Sequence, residues 1–298
     1  MSRIHEALQR AYRERGKLPV SEDDQVAELT ITPVPEEPPL VKPELVLENI
    51  AQHPWKPITA AFPTLTDRGA VVEQFRRLRS HIYQAHAEAP LKTILIGSGM
   101  PSEGKTFVAA NLAMSMARNS VNNILLIDGD LRRPSVHKFF NISSSVGLSN
   151  VLLAKAAWRD AIVKPEGIAN LDILAAGPPS RSAGDLIGTG LLQLLDEVSE
   201  EYDLVILDAP PLLGFAEPLQ MASFVDGVIV IARAGETGRK AVGSVLNTLA
   251  RLRANVLGVV LNEVHKDMSD SYSYYGNYRG YYRGYDRREE IAVEEHAG

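Results

Sequence analysis

Residues 99–106 have the composition of a phosphate-binding loop. They lie between a predicted strand and a predicted helix, and they fit the pattern G-x-x-x-x-G-K-[ST] through Gly99, Gly104, Lys105 and Thr106. A glycine-rich turn at a helix N-terminus directs several backbone N–H groups at phosphate oxygens. We expect Lys105 to contact the β- and γ-phosphates of a nucleotide and Thr106 to ligate Mg²⁺. The predicted nucleotide site comprises Gly99, Met100, Pro101, Ser102, Glu103, Gly104, Lys105, Thr106 and Phe107.

Three aspartates follow apolar runs elsewhere in the chain. Asp208 ends the run LVILD, and Asp128 and Asp130 lie two residues apart in LLIDGD. Ligands of open α/β sheets bind beyond the carboxyl ends of the strands, so we expect all three carboxylates in one crevice. Asp208 is in the position from which a Walker B aspartate holds Mg²⁺. A single aspartate after a strand is more often a turn former or helix cap, but three of them with a phosphate loop favour a catalytic site.

Six apolar runs must position these residues. Most of them lack period-2 alternation, which predicts strands buried on both faces of a parallel sheet. Helical stretches alternate with the runs, so the fold class predicted is α/β, a doubly wound, mostly parallel sheet of the P-loop NTPase type. The runs are 93–96, 124–127, 171–174, 204–207, 228–232 and 256–261.

The chain divides into four predicted segments. Residues 1–16 place apolar side chains at helical spacing and predict an amphipathic helix, which docks either on the protein itself or on a partner or anionic membrane. Residues 17–66 are acidic and Pro-rich, which predicts an extended linker. Residues 67–265 form the predicted P-loop domain. Residues 266–298 lack apolar periodicity and predict a disordered tail.

Composition excludes several classes of protein. A formal net charge of −6 over 298 residues leaves no overall positive field for nucleic acid, so we expect no nucleic-acid partner. The absence of cysteine excludes disulfides, thiolate metal sites and cysteine nucleophiles. No apolar run approaches the roughly 18 to 20 residues that a membrane span needs. We therefore expect a cytoplasmic protein.

Seven of the ten tyrosines lie within fourteen residues of the tail. They have no helical or strand periodicity, so they do not form a core. With the neighbouring arginines they could stack on nucleic-acid bases. As phosphoacceptors on a flexible tether they would be present at high effective concentration near an active site, which fits the other motifs better. The predicted acceptors are Tyr272, Tyr274, Tyr275, Tyr278, Tyr281, Tyr282 and Tyr285.

The motifs GMPSEGKT, IDGDLRRP and ILDAPP, in this order and before a tyrosine cluster, resemble the bacterial tyrosine kinases of polysaccharide synthesis and export. The resemblance covers residues 67–285 and identifies IDGDLRRP as a Walker A′ box, D-x-D-x-R, through Asp128, Asp130 and Arg132. It implies the deviant Walker A superfamily that includes the partitioning ATPases. It also implies an ATP- and Mg²⁺-dependent protein-tyrosine autokinase that regulates exopolysaccharide or capsule export.

The chemistry expected of such a site assigns roles to its residues. A tyrosine hydroxyl has a pKa of about 10, so its attack on a γ-phosphate calls for a carboxylate that accepts the proton. We expect Asp128 to be this base and Asp130 and Asp208 to hold Mg²⁺, although the roles of Asp128 and Asp130 could be exchanged. Lys105 and Arg132 would neutralise developing charge. In related P-loop ATPases the position of Asn262 often contacts adenine, and capping a turn is the other role open to this residue.

The resemblance also implies partners. The segment EQFRRLR contains Glu73, Arg76 and Arg79 at the E-x-x-R-x-x-R spacing that the family uses to assemble rings, although such a pattern alone is usually a solvated helix face. The start MSRIHEALQRA and the lack of spans resemble stand-alone kinases of exosortase-linked or other exopolysaccharide systems. We therefore expect a membrane chain-length determinant as activator, recruitment to the inner membrane through it, and a protein-tyrosine phosphatase that resets the tail.

Two other classes of protein remain open. One is a partitioning or septum-positioning ATPase, which switches dimerisation and membrane or DNA binding. Such ATPases carry a signature lysine five residues before the P-loop lysine, where this chain has Met100, and they lack a tyrosine tail. The other is a non-catalytic nucleotide-binding scaffold, because intact motifs do not guarantee turnover.

Overall fold

An eight-stranded sheet positions the loops that carry the predicted site. The structure is a computed structural model that describes residues 50–57, 60–66, 68–119, 122–179 and 186–264. The strand order is β1-β4-β5-β3-β6-β2-β7-β8, and neighbours are parallel except β4 and β5. The strands are β1 Gln52–His53, β2 Thr93–Ser98, β3 Ile124–Asp128, β4 Ile162–Pro165, β5 Leu171–Leu174, β6 Leu204–Asp208, β7 Gly227–Arg233 and β8 Val256–Asn262.

Helices cover both faces of the sheet. One core cluster packs α1, α2 and α3 on one face, and a second packs α4 to α8 on the other. Successive residues of the central strands alternate between the clusters; Ile94 and Ile96 belong to the first and Leu95 to the second. The helices are α1 Ala70–Glu88, α2 Lys105–Asn119, α3 Val136–Phe140, α4 Leu148–Leu152, α5 Trp158–Ala161, α6 Thr189–Glu201, α7 Glu217–Phe224 and α8 Arg239–Arg251.

The predicted doubly wound, mostly parallel sheet is confirmed. All six predicted strands are present, and every residue of the three central strands β3, β6 and β2 is buried. Continuous apolar runs form such strands because both faces are covered by helices. Among the described residues, no helix combines the length and the apolar character that crossing a membrane requires.

The last part of the predicted linker is instead part of the domain. Residues 50–66 contribute strand β1, which pairs with β4, and a 3₁₀ helix at Pro63–Leu65. The rings of Trp55 and Phe62 lie 5.2 Å apart, and the Phe140 ring lies 5.5 and 4.9 Å from them. Burying two large aromatic side chains outweighs the proline content on which the prediction relied.

Hydrogen bonds also fasten this segment to α2. Thr64 Oγ1 donates to Asn111 Oδ1 at 2.8 Å, and Asn111 Nδ2 donates to the carbonyl of Ala61 at 2.9 Å. The domain boundary predicted at residue 66 is therefore too late. The predicted helix at 1–16, the linker at 17–49 and the tail at 266–298 lie outside the described residues.

We predict that Phe62→Ala lowers the free energy of unfolding by about 3–5 kcal/mol, because it removes a fully buried aromatic side chain and leaves a cavity. Urea denaturation of the full chain measures this. Val71→Ala, at a position that is 46% exposed on α1, is the control and should change stability by less than about 0.5 kcal/mol. If the Phe62→Ala and Val71→Ala proteins were equally stable, Phe62 would not contribute to the core, as the linker prediction implies.

Candidate active site

The phosphate loop connects β2 to α2 through a backbone that only glycine accommodates at its end. Gly104 has a φ of +89°, and a Cβ there would lie 1.9 Å from Asn262 Nδ2. Ser102 also has a positive φ, of 65°. Turns that alternate in this way aim successive N–H groups toward one side, where an anion binds.

Side chains from within and from outside the loop hold it in this shape. Glu103 is 3% exposed; its Oε2 accepts the Met100 N–H at 2.7 Å, and its Oε1 accepts the Thr237 hydroxyl. Asn262 ends β8 and donates its Nδ2 to the Glu103 carbonyl at 3.0 Å. Glu103 and Asn262 thus brace the loop, and Thr237 is a contributor that no sequence motif indicated.

The loops after β3 and β6 bring the three predicted aspartates to the phosphate loop. Asp128 and Asp208 are partners in the parallel register of these strands. Thr106 Oγ1 donates to Asp208 Oδ2 at 2.6 Å, and Lys105 Nζ lies 3.5 Å from Asp130 Oδ2. The structure therefore brings all five of these predicted site residues to the carboxyl edge of the sheet.

Asp128 also organises the Walker A′ loop. Its Oδ1 accepts the Asp130 N–H at 3.2 Å, and its Oδ2 accepts the N–H groups of Ser135 and Val136, each at 3.0 Å. The Ser135 hydroxyl lies 2.9 Å from Thr106 Oγ1. Ser135 was missed in the sequence, although a hydroxyl directly after the Walker A′ box is a signal that could have identified it.

Burial sets the protonation of the two buried aspartates. Burial, together with the charge of Asp208, raises the pKa of Asp128 to about 8. Burial also raises the pKa of Asp208 to about 6, although Lys105 and the Thr106 hydroxyl oppose the shift. Two carboxylates this close favour either a proton or a cation between the loops.

The residues present fit a divalent cation. Asp208 Oδ1 is buried and has no hydrogen-bond partner among the described residues. The other oxygen of this carboxylate, Oδ2, accepts a hydrogen bond from the Thr106 hydroxyl. Carboxylate and hydroxyl oxygens are ligands that Mg²⁺ prefers. Thr106 and Asp208 would hold the ion, with Asp130 next to them.

Arg132 contacts the segment after β6. Its Nε donates to Glu217 Oε1 at 2.8 Å, Nη2 donates to the same atom, and its Cζ lies 4.8 Å from the centre of the Phe215 ring. Glu217 and Phe215 belong to the segment that follows the Walker B strand. Neither carries a motif, so the sequence did not reveal them.

The predicted interface residues lie on α1. Arg76 forms an ion pair with Glu73, and both side chains are partly exposed. Arg79 instead reaches α2, where its Nη1 donates to the Ser115 carbonyl at 2.9 Å. Arg79 therefore joins two helices within the chain, and Glu73 and Arg76 form the outward part of the motif.

Comparison with known families agrees with this site. A family model described as "AAA domain" matches residues 92–259, which span the sheet from β2 into β8. The cell division ATPase MinD of Pyrococcus furiosus has the same fold, with a TM-score of 0.50, 22% identity and coverage of 57% of this chain and 71% of that one. Fold and loop geometry together define a P-loop nucleotide-binding protein.

Two proteins with higher sequence identity to this chain are kinases. Tyrosine-protein kinase YwqD of Bacillus subtilis (strain 168) is 35% identical over 205 residues, covering 68% of this chain and 86% of the relative. The solved kinase domain of Escherichia coli tyrosine kinase ETK is 32% identical with a TM-score of 0.62, covering 65% of this chain and 76% of that one. The chain belongs to the family of bacterial tyrosine-protein kinases and is a protein-tyrosine kinase.

The raised pKa of Asp208 predicts a stabilising substitution. The folded protein binds this proton more tightly than the unfolded chain does, so its stability falls as the pH rises from the unfolded value of 3.8 to about 6. Without nucleotide or divalent cations, Asp208→Asn should therefore raise the free energy of unfolding at pH 8 by about 1–3 kcal/mol. Below pH 4 the difference should vanish.

Denaturant unfolding in chelator across pH 4 to 8 measures this difference. Asp196→Asn, which alters an exposed carboxylate on α6, is the matched control and should give a pH-independent result. A destabilising effect of Asp208→Asn at pH 8 would show that the ionised carboxylate stabilises the fold even without a cation.

Proposed function

We propose that the chain is an ATP- and Mg²⁺-dependent tyrosine autokinase whose acceptors are the tyrosines of residues 272–285. The observation that carries the proposal is the group formed by Lys105, Thr106, Asp130 and Asp208, joined by a 2.6 Å hydrogen bond and a 3.5 Å ion pair. This group combines a phosphate contact with carboxylates that suit a cation. The acceptor cluster is the feature that a switch ATPase or an inert scaffold does not require.

The transfer step is an in-line displacement at phosphorus. The tyrosine oxygen forms a bond to the γ-phosphorus, the bond from that phosphorus to the bridging oxygen breaks, and ADP leaves. The hydroxyl proton passes to Asp128. A carboxylate offers about four lone-pair positions, and three backbone N–H groups occupy three of them on Asp128, so one remains. A cation bound beside Asp208 would favour the ionised form of Asp128, which is the form that accepts a proton.

Other residues orient and neutralise the phosphates. Lys105 contacts the terminal phosphates, and the N–H groups of the loop surround them. Thr106, Asp208 and Asp130 would hold Mg²⁺, which would supply further positive charge at the transferred group. Asn262 braces the loop with its Nδ2, and we propose that its Oδ1 faces the adenine amino group.

The cellular role follows from the sequence resemblance. We propose that a membrane chain-length determinant activates the kinase and recruits it to the inner membrane, and that the tail's phosphorylation state regulates export of an exopolysaccharide or capsule. A protein-tyrosine phosphatase would reset the tail. The support for these partners is the similarity of MSRIHEALQRA and of the three motifs to stand-alone kinases of such systems.

We predict that Lys105→Ala abolishes autophosphorylation, with a loss of at least about 100-fold, because it removes the positive charge that contacts the phosphates beside Asp130. Radiolabelled ATP and phosphotyrosine mass spectrometry measure the loss, with circular dichroism to check folding. Lys155→Ala, at an exposed position, should retain full activity. Full labelling of a folded Lys105→Ala protein would place catalysis elsewhere.

We also predict transfer between subunits of a ring. The Lys105→Ala protein, which keeps its tyrosines, is mixed with a protein whose seven tail tyrosines are phenylalanine. The first protein should become labelled, because its tail reaches an active neighbour. Adding Arg76→Ala to both should lower labelling at least about fivefold, because it removes the outward part of the α1 motif.

Arg251→Ala in both proteins is the control for a lost surface charge, since Arg251 ends α8 and is exposed. Light scattering of the same mixtures reports assembly, with the activating partner added where the kinase alone is monomeric. If the Lys105→Ala protein stays unlabelled in the mixture, while the unsubstituted chain labels its own tail at a rate per molecule that does not depend on concentration, transfer occurs within one chain.

A further inference from the structure

An ion pair closes the outer side of the two loops that carry the carboxylates. Arg132 follows Asp130 by two residues, and Glu217 begins α7 after the loop that starts at Asp208. Glu217 is 4% exposed and accepts both the Nε and Nη2 hydrogens of Arg132 through one oxygen. Where the two loops begin, the Gly129 N–H donates a hydrogen bond to the Asp208 carbonyl at 2.8 Å. The ion pair of Arg132 and Glu217 is a second connection between the loops, farther from the strands.

Glu217 is a fixed anchor in this pair. Burial acts to raise the pKa of Glu217, but hydrogen bonds from its own N–H and that of Ala216, together with Arg132, outweigh burial and hold the pKa below its usual range. The Glu217 carboxylate is thus ionised, and it accepts hydrogen bonds both from the backbone and from Arg132. A guanidinium has five N–H groups, so Arg132 keeps three that have no partner among the described residues.

Phe215 supplies an aromatic surface beside this arginine. The guanidinium carbon of Arg132 lies 4.8 Å from the ring centre, within the range of a cation–π contact. The ring is 40% exposed, so part of it is open to a ligand. Arg132 and Phe215 together form a surface with positive charge on one side and an open aromatic ring on the other.

The sheet order locates this surface on the side of the reacting groups. The phosphate loop follows β2, and the loops of Asp128 and Asp208 follow β3 and β6 on one side of it. Thr237 and Asn262 brace the phosphate loop from β7 and β8 on the other side. An acceptor hydroxyl must approach the carboxylates, so it enters from the side where Arg132 and Phe215 lie.

We propose that Phe215 and Arg132 receive the ring of the acceptor tyrosine, and that Glu217 is the positioning residue that holds Arg132 for this contact. The proposal rests on the proposed autokinase function and adds to it the means of acceptor selection. A tyrosine ring can stack on Phe215, and its oxygen is then directed at the carboxylates, whereas serine and threonine lack a ring to stack. The three unpaired N–H groups of Arg132 are available to the phosphate that arrives on that oxygen.

The first test separates acceptor binding from nucleotide binding. The full chain phosphorylates a synthetic peptide of residues 271–285, and KM is measured for the peptide and for ATP separately. We expect Phe215→Ala to raise the peptide KM about tenfold and to change the KM for ATP by less than about twofold, a loss typical of one aromatic contact. Phe215→Trp, which restores a ring, should return the peptide KM to within about threefold of the original value.

Leu252→Ala is the matched control for this test. Leu252 is 41% exposed, but it follows α8 at the opposite edge of the sheet, where β8 begins. It should change neither KM. An unchanged peptide KM in the Phe215→Ala protein overturns the proposal, and so does a rise confined to the KM for ATP, which would assign the ring to the adenine base.

The second test concerns Glu217. We expect Glu217→Gln to lower kcat/KM for the peptide about tenfold while nucleotide affinity stays constant, because the neutral amide holds Arg132 less firmly. In an Arg132→Ala background the same substitution should have no further effect on kcat/KM. Equal losses in both backgrounds would show that Glu217 acts through the fold and not through Arg132.

Failure of this proposal is distinguishable from failure of the autokinase proposal. If Lys105→Ala abolishes peptide phosphorylation and Phe215→Ala does not change the peptide KM, only the acceptor surface is refuted. If the Lys105→Ala protein labels the peptide at the original rate, the catalytic assignment itself is refuted, and the acceptor surface with it.

Discussion

The parallel register of β3 and β6 places two buried carboxylates side by side, and the surrounding structure depends on relieving this repulsion. Asp128 receives three backbone N–H groups, and Asp208 receives the Thr106 hydroxyl with Lys105 nearby. These contacts do not fully offset burial, so both pKa values remain raised. Ionising both carboxylates therefore costs free energy in the fold, and a bound cation would lower that cost.

Braces from distant parts of the chain keep this strained centre in shape. Thr237, through Glu103, and Asn262 support the phosphate loop from the side of β7 and β8, and Glu217 fixes Arg132 on the side of β6. These hydrogen bonds end at buried or half-buried polar atoms, so water competes with them weakly. Glu103 also accepts one N–H group of its own loop. The loop N–H groups that these contacts do not use are available to a nucleotide.

The sequence predicted the elements whose signal is local. Continuous apolar runs identified six strands, and the Gly-Lys-Thr pattern after one of them located the phosphate loop, because a fully buried strand and a helix N-terminus each need particular residues in succession. Asp128, Asp130 and Asp208 were found for the same reason, since each directly follows a recognisable strand. The fold class and five of the site residues required no knowledge of contacts between distant segments.

Contacts between distant segments account for what was missed. Trp55 and Phe62 lie in Pro-rich sequence, and only their packing on Phe140 shows that they belong to the core. Glu217 and Thr237 resemble ordinary surface residues until their partners Arg132 and Glu103 are known. Strand β4 is short and carries Lys164, which forms an ion pair with Asp172 on β5. No pattern in the sequence indicates this pair. Arg79, which is predicted at an interface with another subunit, also bonds to α2 of its own chain, a contact that the motif did not indicate.

The aromatic packing of residues 50–66 has a consequence for any shortened version of this kinase. Phe140 ends α3, and α3 begins at Val136, whose N–H reaches Asp128. A truncation at the motif-based boundary would remove Trp55 and Phe62 from one side of α3 and leave that short helix without its cover. The lost residues would be more than 60 positions away from Asp128 in sequence, yet only one helix away from it in space. The folded unit thus begins well before the first recognisable kinase motif.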